Sequence, residues 1–236
     1  ASVRGKRNPI WWQTTVASAG NLTSAVYRIF GKPFSEEGKK LFGVPFAQFL
    51  KLNSEFRYHY RIDKNQMIAS RIAGGVIWSY GNATTAPYTE QFYIGGANSV
   101  RAFSARSIGP GGYPPETDRK YSYINHVGDI RMEANVEYRF RILGDLHGAI
   151  FLDAGNVWLM RKDKDRPDGQ LTLKNFPKQV ALGTGAGLRY DLDFLVFRFD
   201  WGVALHDPYD TGKKGYYNIP KFKDGMAWHF AIGYPF

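Results

Sequence analysis

The residues best suited to chemistry in this chain are charged, and they divide between a loop and two strands. In the stretch YIGGANSVRAFSARSIGPGG, residues 93–112, the only charged side chains are Arg101 and Arg106. Solvation is the ordinary fate of a loop arginine. This segment, however, is glycine-rich at its start, β-prone in its middle and closes on SIGPGG, so it can fold back as a compact hairpin. Carboxylates lie further along the chain. Glu133 and Glu137 share the polar face of residues 131–142, and Asp153 sits in AIFLDAGNVW. The planar fork of arginine matches a carboxylate with two parallel hydrogen bonds, and a charge withdrawn from water requires a partner. The pattern predicts that Arg101 pairs with Glu137 and Asp153, with Glu133 in the same group of wall acids.

Catalytic and cofactor chemistry have little to draw on. Cysteine is absent, and the histidines at 59, 126, 147, 206 and 229 have no ligand spacing. GTGAGLRY is not G-x-G-x-x-G and no helical pattern follows it. Gly183, Gly185 and Gly187 fall instead on one strand face, where they are expected to leave room for a bulky neighbour or for the loop. DKDRPDG at 163–169 lacks the spacing of a calcium loop. The expectation is a protein without catalytic residues, metal or cofactor.

The elements that must position these charges are strands. Residues 131–142 alternate strictly: Met132, Ala134, Val136, Tyr138, Phe140 and Ile142 on one face, Arg131, Glu133, Asn135, Glu137, Arg139 and Arg141 on the other. The same period of two recurs over 10–19, 46–62, 66–78, 128–142, 146–158, 179–191, 195–206 and 226–236. These eight predicted strands are long, and about ten tilted residues suffice to cross a bilayer. The connections alternate in length. Residues 20–45, 79–127, 159–178 and 207–225 are long; DKN, LGD and LD are short. A soluble sandwich has no reason to sort its loops by parity, whereas an outer-membrane barrel does, with short periplasmic turns and long outer loops. The pattern therefore predicts an all-β antiparallel transmembrane barrel with its C-terminus on the periplasmic side. Its apolar face meets lipid and its polar face lines a wet lumen.

Composition agrees. Aromatic residues make up 16% of the chain, with 26 glycines and 12 prolines, which favours strands and tight turns. No apolar run is long enough for a membrane helix. The net charge of +10 suits anionic lipid headgroups as well as nucleic acid. The runs RGKR, KDKDR and TGKKG are short and lie beside turn residues, so they read as solvated loops rather than a nucleic-acid surface.

An ordered set of motifs resembles the C-terminal half of the bacterial surface-antigen superfamily, the BamA/TamA-type outer-membrane assembly factors. SVRAF resembles the family's Val-Arg-Gly-Phe/Tyr loop motif, here Val100, Arg101, Ala102 and Phe103. SIGPG, NVEYRF, FLDAGNVW, GAGLRYDLDFLVFRFDWGVAL and WHFAIGYPF follow in the family's order. The resemblance implies that the loop arginine touches acids of the barrel wall, the pairing already drawn from the residues. Alanine replaces glycine at 102 and carries a penalty if that position has positive φ. The closing strand, with Trp228, Phe230, Ile232, Tyr234 and Phe236 on one face, resembles the family's C-terminal sorting signal.

The family barrel has sixteen strands preceded by periplasmic domains, and the loop joins its eleventh and twelfth strands. Here the loop joins the third and fourth, so residues 1–236 are expected to be a single fragment, the last eight strands, with the upstream half missing. A half-barrel has two open edges, and homodimerisation is one expected way to cover them. The function implied is insertion or export of client proteins, or of lipid, without covalent chemistry. The partners implied are outer-membrane lipid, client proteins and accessory assembly proteins. A two-partner secretion pore and a passive membrane anchor for an N-terminal lipase-like enzyme are the alternatives.

Overall fold

A computed structural model describes residues 8–34, 37–115 and 122–236. The basic run RGKR lies outside the described residues. Eight strands form one sheet: β1 (Ile10–Ala19), β2 (Phe49–Arg61), β3 (Gln66–Ser79), β4 (Ile130–Leu143), β5 (Leu146–Trp158), β6 (Ala181–Asp191), β7 (Val196–His206) and β8 (Met226–Ile232). Each is antiparallel to its sequence neighbour, so the sheet is a simple meander from β1 to β8. The sheet is open, with β1 and β8 at its two ends.

The faces of this sheet are inverted relative to a water-soluble protein. On the outer face Trp12, Ile72, Ile150, Trp228 and Phe230 are each more than half exposed. On the inner face Glu137, Asp153, Arg189, Arg198 and Asp200 are buried to within 1%. Exposed apolar rows opposite buried charge rows are what a bilayer outside and a polar interior require.

One connection is more structured than its sequence suggests. Residues 20–45 read as loop, yet they hold helix α1 (Asn21–Ile29) and a small hairpin pairing Lys40–Leu41 with Val44–Pro45. Phe42 and Gly43 turn that hairpin with positive φ, 50° and 82°. Among the described residues no helix is long and apolar enough to cross a membrane.

The last strand is shorter than its alternation predicts. β8 ends at Ile232 instead of running to 236. Gly233 takes φ 86°, a left-handed conformation glycine adopts without strain, and donates its N–H to Val196 O at 2.8 Å. Pro235 has no N–H to continue a ladder. Tyr234 and Phe236 therefore leave the outer row where the sequence pattern put them. Their rings sit 4.5 and 5.5 Å from the Arg139 guanidinium, and Phe236 is buried.

Candidate functional site

The site is built from the inner rows of β3 to β8 and the tip of the loop between β3 and β4. Register alone assembles most of it. Arg71, Asn135, Asp153, Gly183 and Ala204 lie directly across from one another on successive strands β3 to β7. The next inner row is Ala69, Glu137, Phe151, Gly185, Gly202 and Ala227. The row below it runs Met67, Arg139, Ala149, Gly187, Asp200 and His229. In these rows β4 and β5 thus present Glu137 and Asp153, while β6 presents three glycines and β7 presents Gly202 between Ala204 and Asp200.

The loop tip fits this division. Gly96 N–H bonds Phe103 O at 2.8 Å and Phe103 N–H bonds Val100 O at 3.1 Å, closing a tight turn around Val100–Phe103. Val100, Arg101 and Ala102 are buried and Phe103 half-buried. The backbone of the tip lies on the glycines. A Cβ on Gly202 would stand 2.3 Å from Arg101 O, and one on Gly183 would stand 2.3 Å from Ala102 Cβ. Gly185 leaves space for the Phe151 ring, and Gly187 for Asp200 and Arg189. Ala102 is absent from the described non-glycine residues with positive φ, so its methyl brings no backbone penalty, and Gly183 makes room for it.

The Arg101 side chain reaches the acids. Nε donates to Asp153 Oδ2 at 2.8 Å and Nη2 to Asp153 Oδ1 at 2.9 Å, the parallel fork geometry. The Arg101 backbone N–H adds a third bond to Asp153 Oδ2 at 3.0 Å. Nη1 bonds Glu137 Oε2. The guanidinium plane lies 3.6 Å from the Phe151 ring centroid. Burial opposes the charge on Arg101, but the hydrogen bonds and charge of Asp153, followed by Glu137, outweigh it and push its pKa up.

Glu133 takes a different arginine. Its carboxylate receives Arg71 Nη1 at 2.9 Å, in a cluster with Glu55, rather than pairing with Arg101. Arg71 also holds the loop, donating to Asn98 O at 3.1 Å.

Several members of the cluster escaped sequence reasoning. Glu137 also receives Arg139 Nε at 2.7 Å and Arg189 Nη2 at 3.2 Å. Arg189 continues to Asp200 Oδ1 at 2.5 Å, and Arg198 donates to Asn98 Oδ1 at 2.5 Å. Asn135 Nδ2 bridges Ser99 O and Asp153 Oδ1 at 3.0 and 2.9 Å. His229 Nε2 donates to Arg101 O at 2.9 Å, joining β8 to the loop. Arg189, Arg198 and Asp200 stood on the polar positions of GLRYD and FRFD, where the alternation that found Glu137 could have found them. Of the closing-strand residues, Trp228, Phe230 and Ile232 face outward and exposed, and Tyr234 and Phe236 lie in the turned tail. No cluster suited to holding a metal ion occurs among the described residues.

A family model described as the Omp85 superfamily domain matches residues 40–236. Over 205 residues the chain is 27% identical to the outer membrane protein assembly factor BamA of Nitratidesulfovibrio vulgaris strain Hildenborough, covering 84% of this chain and 22% of that protein. Over 89 residues it is 30% identical to the factor of the same name from Neisseria meningitidis serogroup B, covering 36% and 11%. The crystal structure of BamA from Haemophilus ducreyi lacking POTRA domains 1–3 shares the fold, with a TM-score of 0.53 and 18% identity over 78% of this chain and 35% of that one. The chain spans about a fifth of the length of the first relative and less of the second.

Proposed function

This chain belongs to the Omp85 superfamily, and we propose that it supplies the C-terminal half of the barrel of an outer-membrane protein assembly factor, with its C-terminus on the periplasmic side. Its relatives are named as such factors. The observation that carries the reading is the long loop folded onto the inner face and fixed there by Arg101, Asp153 and Glu137. A passive anchor needs no such plug. A factor that admits client strands needs an interior that stays sealed while its wall opens.

The chemistry is non-covalent. β8 pairs with β7 over seven residues, against ten to fourteen in the other strands. A short terminal ladder separates at lower cost, and the edge it frees can template an incoming client strand by backbone hydrogen bonds. Trp228, Phe230, Ile232 and the tail to Phe236 act as the sorting signal by which this protein is itself inserted. Outer-membrane lipid, unfolded client barrels and accessory assembly proteins are its partners. An upstream half-barrel, or a second copy, covers the free edges of β1 and β8.

The test uses the natural protein that carries this chain, reconstituted in liposomes with an unfolded outer-membrane barrel as client. The expected result is faster appearance of the heat-resistant client band than in empty liposomes, lost in Arg101→Glu. Equal rates with and without the protein would overturn the reading. Export of a single cognate protein, or hydrolase activity from an upstream domain, would point to the secretion pore or the anchor.

A further inference from the structure

Helix α1 repeats, in helical form, the inversion seen in the strands. Its buried side is polar. Ser24 is fully buried and donates to Gln48 Oε1 at 2.8 Å. Buried Lys39 reaches the same hydroxyl at 3.2 Å and Phe34 O at 2.6 Å. Asn21 accepts from Tyr80 Oη at 2.8 Å and from Gln48 Nε2 at 3.2 Å. Its exposed side is apolar. Leu22, Val26, Ile29 and Phe30, at i, i+4, i+7 and i+8, form one stripe. Leu22 is 82% exposed, Ile29 81% and Phe30 78%. The neighbouring hairpin adds Phe42 at its tip, 96% exposed, flanked by exposed Leu41 and Val44.

A helix that shows its apolar stripe outward and hides serine and lysine is solvated by something other than water. Two observations identify it. The helix starts two residues after β1 ends, at the long-loop rim of the sheet, so its stripe continues from a strand whose outer row, Ile10, Trp12 and Val16, is exposed and apolar. The charge on the helix itself also has one sign. Residues 8–34 contain Arg28 and Lys32 and no acid, and Lys40 lies exposed on the hairpin, with one exposed acid among the described residues, Glu37, on the segment between them. An apolar stripe bordered by cations is the pattern of a helix lying in a membrane interface.

We propose that α1 and the 40–45 hairpin form an interfacial foot. It seats Leu22, Val26, Ile29, Phe30 and Phe42 in the acyl region of the leaflet at the long-loop rim, and Arg28, Lys32 and Lys40 meet phosphate-bearing headgroups there. The inference rests on the membrane-barrel reading of the sheet. It adds a lateral contact with the bilayer that the strands do not make.

The absence of cysteine from this sequence suits single-site spin labelling. In the natural protein, reconstituted in vesicles of phosphatidylcholine with phosphatidylglycerol, Leu22, Ile29, Phe30 or Phe42 is replaced singly by cysteine and labelled. Ile72→Cys and Ile150→Cys report the outer face of the strands. The expected result is that all these labels are relaxed by lipid-soluble oxygen and shielded from a water-soluble nickel chelate. Arg28→Glu with Lys32→Glu should make the α1 labels shallower in these vesicles but not in pure phosphatidylcholine. Nickel-accessible α1 labels beside lipid-exposed strand labels would overturn the foot and leave the barrel standing. α1 labels immobilised and reached by neither reagent would overturn it in favour of a protein neighbour, an upstream segment or a second copy. Nickel-accessible strand labels would overturn the barrel and the foot together.

Discussion

Arg101 and Arg106 are five residues apart in one loop and meet opposite fates. Arg101 is fully buried and neutralised by two carboxylates. Arg106 is half-buried, and its guanidinium lies 4.1 Å from the Tyr93 ring and 5.3 Å from Tyr88, whose hydroxyl it also bonds. The difference is depth. A guanidinium stripped of water needs formal opposite charge, because the desolvation penalty is several kcal/mol. One that keeps part of its hydration is satisfied by aromatic faces contributing about 0.5–1 kcal/mol. The same residue type is therefore a structural anchor at one position and a surface contact at the other. Backbone conformation follows the same division: Arg106 adopts φ 58°, tolerable in an outer turn, whereas Arg101 does not enter that region.

The contrast can be broken hardest at its deep end. Arg101→Glu places a third carboxylate beside Glu137 and Asp153 and should cost at least about 3–5 kcal/mol, read as loss of heat resistance of the folded band on semi-native gels. Arg101→Glu with Asp153→Arg should recover part of it; no recovery would mean that the pair does not act directly. Gly202→Val should cost about 1–3 kcal/mol, as overpacking does, because a side chain there meets Arg101 O and lifts the tip. Limited proteolysis should then cut near residue 100, where the parent chain resists. Arg101→Lys keeps the charge and loses the fork, an expected loss of about 1–2 kcal/mol in denaturant titration. Arg106→Ala should change the same midpoint by less than about 1 kcal/mol. A loss at Arg106 as large as that at Arg101 would mean that depth is not what separates them.

Most of the sheet was legible because a bilayer outside and charge inside enforce a period of two along most of each strand. β1 and β5 match their expected spans, and the other strands differ by up to four residues at an end. What alternation cannot convey is how deep a loop reaches. It put Glu133 in one group of wall acids with Glu137 and Asp153, and only the height at which the tip settles on Gly183 and Gly202 assigns Glu133 to Arg71. The helix was overlooked for another reason. Positions 22, 26, 29 and 30 carry helical spacing, but nine residues between a strand and a Gly-Lys-Pro stretch give a periodic signal too short to stand against a loop reading. At the end of the chain alternation carries the last strand to 236, whereas Gly233 and Pro235 stop the ladder at Ile232 and turn the tail towards Arg139.

The bond from His229 to Arg101 O has a consequence for the order in which the molecule can be made. Its partners are 128 residues apart, whereas three hairpins of the sheet, β2–β3, β4–β5 and β6–β7, close over turns of a few residues. Local hairpins form early and distant contacts late, because loop closure costs entropy before any contact offsets it. β8 meets β7 across only 23 to 35 residues, so the bond to Arg101 closes after that ladder and checks the register of β8 against residue 101 as well as against β7. A chain whose loop is misplaced leaves His229 with nothing to bond at that height, so the final strand reports whether the interior has been completed.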